Sequence, residues 1–495
     1  MVERTFIERL HWRLFRLLPR VVNNPILKSL QKNSDEEDAE KNDKCTPEDN
    51  DNVDLSCFWA IEFYNPSHVG ELPAAFKRLG WTGGKNRRPL FDVVEWLKEN
   101  RGETLGGGWF RLNTLVSHEK LGSYTDSVEA NLPDGVSYAT AALTCLGSSL
   151  ACIAVCFKLE EHTSQEFERV IRRKYRTVFR KQGTALAIID PLKQKQDKLT
   201  DIRRNIDLNV QQWFAENIPG VFSSKTSTAK MPTCELLVFN ANNIALNSTP
   251  SPVSRRLDSR FLLGLSSGAL SELESQQFTG LRFTTSVIRN PTINSYASMY
   301  IGLNDLNKVD VSQYGREHVD VKIQKLCEGS EAFLIRWACL VLVRMLNIRV
   351  NDLRDSQIFT SNRTDTNLLI QELRKITANS LDVNFIIPDI IYSLSSPFTD
   401  SDIDQFTTKS PPWIAAAPIS ALPGMNENIR KEAENLLVRD KMLRELLSQQ
   451  GSLASVAENI KVQRKLNSLT WAIAGFTIVS VIIAGVSAYP VLFGK

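Results

Sequence analysis

From Leu466 to Gly494 the chain carries no charged residue, and no other stretch limits its possible folds so strongly. A helix needs about 20 apolar residues to cross a hydrocarbon core about 30 Å thick, and this run exceeds that length. Trp471 and Tyr489 stand 18 residues apart, roughly 27 Å at the helical rise, which matches aromatic belts at two membrane interfaces. A buried core helix is usually shorter and carries polar residues, so 466–494 reads as a transmembrane helix. Lys461, Arg464 and Lys465 just before it orient the span with the preceding chain on the cytosolic side. The expectation is a single-pass, tail-anchored membrane protein whose N-terminal bulk is cytosolic. Ser480, Ala484 and Ala488 recur every fourth residue, and such a small-residue row lets two helices approach closely, so the span is also a candidate contact for a homo-oligomer.

Residues 426–465 read as a helical stalk. Leu436, Leu443, Leu446, Leu453 and Ile460 follow a seam of seven-, three- and four-residue steps, interrupted at Gly451; packing on the protein's own core and self-association both fit it. A Pro- and Ala-rich linker, 411–425, precedes the stalk.

The other terminus, 1–31, shows no secretory layout, because arginines recur through it. As a helix it places Phe6, Leu10, Leu14, Leu17 and Val21 on one face. That pattern suits either docking on a domain or lying on an anionic membrane. Residues 33–54 then carry ten acidic residues against two lysines, so 32–54 is expected to be an acidic disordered linker. The opposite charge block lies between Arg169 and Arg204, with twelve Lys or Arg against three Asp. In its first expected helix Phe167, Ile171, Tyr175 and Val178 face a core and leave Arg169, Arg172, Arg173, Arg176 and Arg180 solvated. These five arginines are the candidate binding residues for anionic lipid or a partner, the acidic linker among the options. Nucleic acid ranks lower, since no base-reading motif accompanies the charge.

Between these features the pattern mixes strands and helices, giving an α+β class: an α+β domain over 55–220 with the basic helices, and a second α/β region over 221–410. "CFWAIEFY", "WFRLNTLVSH", "TCELLVFNAN", "GLRFTTSVI" and "SYASMYIGL" read as strands. "ELPAAFKRLGW", "PLFDVVEWLKENR" and "EAFLIRWACLVLVRML" read as helices, while "VNFIIPDIIYSL" fits strand or helix. Tyr138 to Phe157 is uncharged and long enough to span. Its central "LGSS" and its β-branched flanks favour two buried strands joined by a turn.

No motif for chemistry stands out. "GWTGGKNRR" lacks both the first glycine and the Ser or Thr of a phosphate-binding loop. The eight cysteines form no CxxC pair, and no histidine falls in an HExxH pattern. Asp400, Asp402 and Asp404 lack the glycine and the closing glutamate of a calcium loop. The expectation is therefore an interaction or sensor protein with no catalytic residues, cofactor or metal. The alternatives are a membrane-attached enzyme whose site is assembled from distant residues, or a transport component if 138–157 is a second span.

Overall fold

The structure, a computed structural model, describes residues 35–47, 52–81, 92–102, 108–121, 126–182, 185–224, 229–240, 262–263, 265, 272–285, 295–312, 317–360, 383–394, 406–408 and 418–493. The helices are α1 (Asp35–Cys45), α2 (Pro66–Val69), α3 (Leu72–Arg78), α4 (Val93–Gly102), α5 (Glu161–Arg172), α6 (Pro191–Asn217), α7 (Leu303–Leu306), α8 (Val319–Thr360), α9 (Val383–Leu394) and α10 (Ala421–Phe493). The strands are β1 (Val53–Tyr64), β2 (Trp109–Arg111), β3 (Thr114–Val116), β4 (Ser127–Glu129), β5 (Val136–Cys145), β6 (Ala151–Leu159), β7 (Val178–Gln182), β8 (Ala185–Ile189), β9 (Thr233–Phe239), β10 (Glu272–Ser275), β11 (Arg282–Thr285), β12 (Tyr296–Gly302) and β13 (Phe406–Thr408).

Eleven of these strands form one mixed sheet in the order β13-β10-β11-β12-β9-β1-β6-β5-β3-β4, with β2 beside β5. The β9/β12 and β3/β4 pairs are parallel and the others antiparallel. β1 lies at the centre because its sequence suits burial on both faces: aromatic and aliphatic residues run through it almost without a break, and nearly every one is buried. Alternation along β1 and β6 divides two cores. On one face Phe157 packs against Trp213 and Phe214 of α6. On the other, Phe283 of β11 packs against Phe333 and Trp337 of α8.

Residues 138–157 form the hairpin β5–β6, not a second span. The turn closes with Leu146 N–H donating to Leu150 O at 2.9 Å. It is held from outside by Ser149 N–H donating to Asp389 of α9 at 2.6 Å, and by Arg101 Nε donating to Ser148 O at 2.9 Å.

The acidic segment corrects the expected disordered linker: 35–45 is the helix α1, and β1 begins at Val53. Asp38 and Asn42, one turn apart, are buried and dock on the chain after α5. Asn42 Nδ2 donates to Tyr175 O at 2.6 Å while its Oδ1 accepts from Tyr175 N–H at 2.9 Å. Asp38 accepts from Thr177 N–H at 2.6 Å and from the Thr177 hydroxyl. The acidic side chain thus finds one main-chain and one hydroxyl donor, which offset the cost of burying its charge.

The basic segment is corrected too. α5 ends at Arg172, Arg173 turns into extended backbone, and Val178 starts β7; Val178 is exposed and Tyr175 alone continues the buried row. A helix here would withdraw the Tyr175 and Thr177 main-chain groups that α1 engages. The second basic helix holds as α6. Pro191 and the Asp190 side chain, which accepts from Lys193 N–H at 2.7 Å, open it, and it ends before Pro219 and Gly220.

β9 pairs with β1 and carries the sheet across the boundary expected at 220 between the α+β domain and the second α/β region. "WFRLNTLVSH" splits into β2 and β3. "VNFIIPDIIYSL" is the helix α9. The expected linker 411–425 is partly helix, since α10 begins at Ala421, and Gly451 does not interrupt it. Residues 1–31, Gly83 to Lys85 and Asp400 to Asp404 lie outside the described residues.

The chain divides into two compact units, 1–345 with 385–431, and 346–384 with 432–495. The first contains the sheet. The second contains the end of α8 and most of α10. Within it Asn347 Nδ2 donates to Glu432 O at 3.3 Å, and Ala433, Leu436 and Leu443 are buried.

Candidate functional site

Two features of the described residues have functional character, and the first is α10. Between Asn459 and Ile483 it contains an 18-residue window with a mean hydropathy of 1.8, no residue of which is buried. The seam expected in the stalk is buried at Leu436 and Leu443, then exposed at Leu446 and Ile460. Trp471 and Ser480 lie on the uncovered stretch, and Ala484, Ala488 and Tyr489 continue the same helix to Phe493. Threonines along it bond locally: Thr470 and Thr477 donate to Leu466 O and Ile473 O at 2.9 and 2.8 Å.

The candidate arginines are distributed unevenly. Arg169, Arg173 and Arg176 are exposed, and Arg173 lies over the Tyr175 ring at 5.6 Å. Arg172 is tied down, donating to Glu168 at 2.8 Å and to Asn52 at 2.6 Å. The Arg180 side chain lies outside the described part. Two further cations of the block turn inward. Lys195 is buried and donates to Thr46 Oγ1 at 2.9 Å and Ile171 O at 2.6 Å, beside the C-terminal end of α1; burial pushes its ammonium down. Arg203 reaches across to Glu235 of β9 with two hydrogen bonds, 2.7 and 2.5 Å, while Tyr296 and Ser298 also donate to that carboxylate. Arg203 and Glu235 form a buried ion pair well supplied with hydrogen bonds, which holds its geometry, while Lys195 is held by neutral acceptors.

The second feature went unseen in the sequence. Cys57 of β1, Cys156 of β6 and Cys327 of α8 come together beneath α8, all buried. The pairing register explains the first two. Cys57 stands opposite Lys158 and Cys156 opposite Trp59, so Cys57, Cys156 and Lys158 share the face that α8 covers. Lys158 Nζ donates to Ser56 Oγ at 2.7 Å and lies 3.6 Å from Asp320. It also lines a polar cleft of about 690 Å³ with Asp54, Lys120, His162, Ser164 and Asp320. Burial acts to raise the Cys57 thiol, but hydrogen bonds with Cys156 and Cys327 and the Lys158 charge outweigh it and hold Cys57 well below the ordinary thiol value. Burial pushes Cys156 and Cys327 well up. Two carboxyls raised to about 7 by burial, Glu62 and Glu331, lie outside this cleft. The separations of the three cysteines, 99 and 171 residues, leave no local spacing to read; the only signal is the alternation Cys152, Cys156, Lys158 on one strand face.

Comparison of the chain with protein-family models, with curated proteins and with solved structures finds no match to any of them.

Proposed function

We propose that this is a single-pass membrane protein, anchored through α10, whose α+β region is a non-catalytic interaction or sensor module on the cytosolic side. The observation that carries the reading is the uncovered apolar length of α10. From Lys461 to Ile483 every side chain is exposed except the half-buried Ala474, with Trp471 at 78% and Phe476 at 76%. Soluble monomers rarely leave contiguous apolar patches beyond a few hundred Å² without a partner. Lipid supplies that partner for a helix with its backbone groups bonded internally. Lys461, Arg464 and Lys465 favour the cytosolic side for the sheet region. In this reading exposed Arg169, Arg173 and Arg176 meet anionic headgroups, each adding about 1 kcal/mol near the surface. Ser480, Ala484 and Ala488 offer one helix face for a second copy.

The test is extraction and protease protection of the whole chain beside one ending at Arg464. The full chain is expected to resist carbonate and need detergent, its sheet region digested on sealed vesicles. The shortened chain is expected in the soluble fraction. A shortened chain that still sediments with membranes would refute α10 as the anchor.

A further inference from the structure

The cysteine cluster has the dimensions of a ligand set. The three Sγ atoms lie within 4.8 Å of one another, and Cys156 to Cys327 is 3.4 Å. A cation bonded at about 2.3 Å to three sulfurs in one plane holds them about 4 Å apart, so closing the site requires sulfur shifts of under about 1 Å. Two of the donors come from paired strands and one from a helix packed on them, so rigid elements set the geometry. Buried cysteine is ordinarily a small hydrophobe. Packing alone, however, gives no reason to gather three thiols around one point and to set an ammonium beside them. Lys158 lines the polar cleft, and its charge acts on Cys57.

We infer that Cys57, Cys156 and Cys327 form a three-sulfur site for a thiophilic d10 cation, Cu(I) or Zn(II), with Lys158 as its charge partner. Thiolates select such soft cations over magnesium and calcium. Binding forms metal–sulfur bonds and releases protons to solvent, three with Zn(II) and two with Cu(I), where one sulfur keeps its proton, with no change in oxidation state. Three thiolates around Zn(II) leave one negative charge, and two thiolates with one thiol around Cu(I) leave the same; the Lys158 ammonium offsets it in both cases. Cu(I) is complete with three sulfurs, whereas Zn(II) takes a fourth ligand, which water supplies. The site depends only on the sheet unit and stands whether or not α10 spans a membrane.

The experiment uses the full chain in detergent, reduced and handled without oxygen, titrated separately with Cu(I) and with Zn(II) against chelators of known affinity, and followed by thermal unfolding. One equivalent of one cation is expected to bind and raise the unfolding temperature in a concentration-dependent way. Cys57→Ser, Cys156→Ser and Cys327→Ser are each expected to weaken binding more than about 100-fold, and Lys158→Met by about 10- to 100-fold, as for a group outside the ligand set. Cys145→Ser, which changes a buried cysteine at the far end of β5, is expected to bind like the parent. If a serine variant does not fold by circular dichroism, the matching alanine variant takes its place. Failure of both cations to bind the parent chain, or binding unchanged in the cysteine variants, would overturn the assignment; which cation binds tells whether three sulfurs suffice.

Discussion

Glu62 shows how one buried carboxyl sets a pH dependence. Burial raises it from 4.5 to about 7, although Phe63, Phe222 and Ser223 N–H groups donate to it at 2.9, 2.8 and 2.8 Å. The native state therefore keeps this proton at pH values where the unfolded chain has already lost it. The sign follows: stability is greatest below about 4.5 and is lost as the pH rises towards 7, by about 3 kcal/mol for a shift of this size. Glu331, raised to about 7 by burial against the opposing pull of Arg111, adds in the same direction. Urea midpoints are expected to fall between pH 5 and 7.5, and Glu62→Gln to remove roughly half of that slope. A different result is expected at Arg203. Arg203→Met strands the Glu235 charge in the core and should cost about 3–5 kcal/mol by urea unfolding. On the surface, reversing Arg169, Arg173 and Arg176 to Glu should abolish the salt-sensitive part of binding to phosphatidylserine vesicles and leave the unfolding free energy in urea within about 0.5 kcal/mol. The sequence showed these arginines as one block. It could not show that Lys195 and Arg203 of the same block turn inward, because their partners Ile171, Thr46 and Glu235 meet them only once the sheet is assembled.

At the scale of elements, α1 is the instructive case. Its composition argues for solvent, and the argument fails because three positions, Asp38, Asn42 and Cys45, fall on one helix face and are buried. The contact with 175–177 is made chiefly of short hydrogen bonds to main chain, with Lys174–Asp43 at 3.3 Å as its exposed ion pair. Surface pairs are screened within about 3 Å at 1 M salt, whereas buried pairs are little affected. Protection of 35–45 from protease is therefore expected to persist in 1 M salt and to be lost in Asp38→Ala or Asn42→Ala. Loss of protection with salt in the parent chain would show that the surface charges hold the contact instead. Strands buried on both faces, such as β1, β5 and β6, were legible from unbroken apolar runs. The end of α5 was not, since helical periodicity in "RVIRRKYRTVF" continues past the point where tertiary hydrogen bonds claim the backbone.

For the whole molecule, the long apolar run and the mixed α+β content were plain in the sequence, and the continuity of the sheet was not. Pairing of β1 with β9 joins Val53 to Phe239, and no local pattern reports a partner at that distance. The order of the strands also sets a schedule. β1 is synthesised early, gains β6 on one side about 90 residues later and must wait about 170 residues, from Tyr64 to Thr233, for β9 on the other. At ribosomal rates of about 5–20 residues per second that is roughly 10–30 s. Through that interval the central strand of the finished sheet is an open edge, apolar on both sides, and an open edge of that kind is a template for other chains. A nascent chain stalled between residues 160 and 230 is the species that a chaperone would have to shield, and the one in which aggregation should begin.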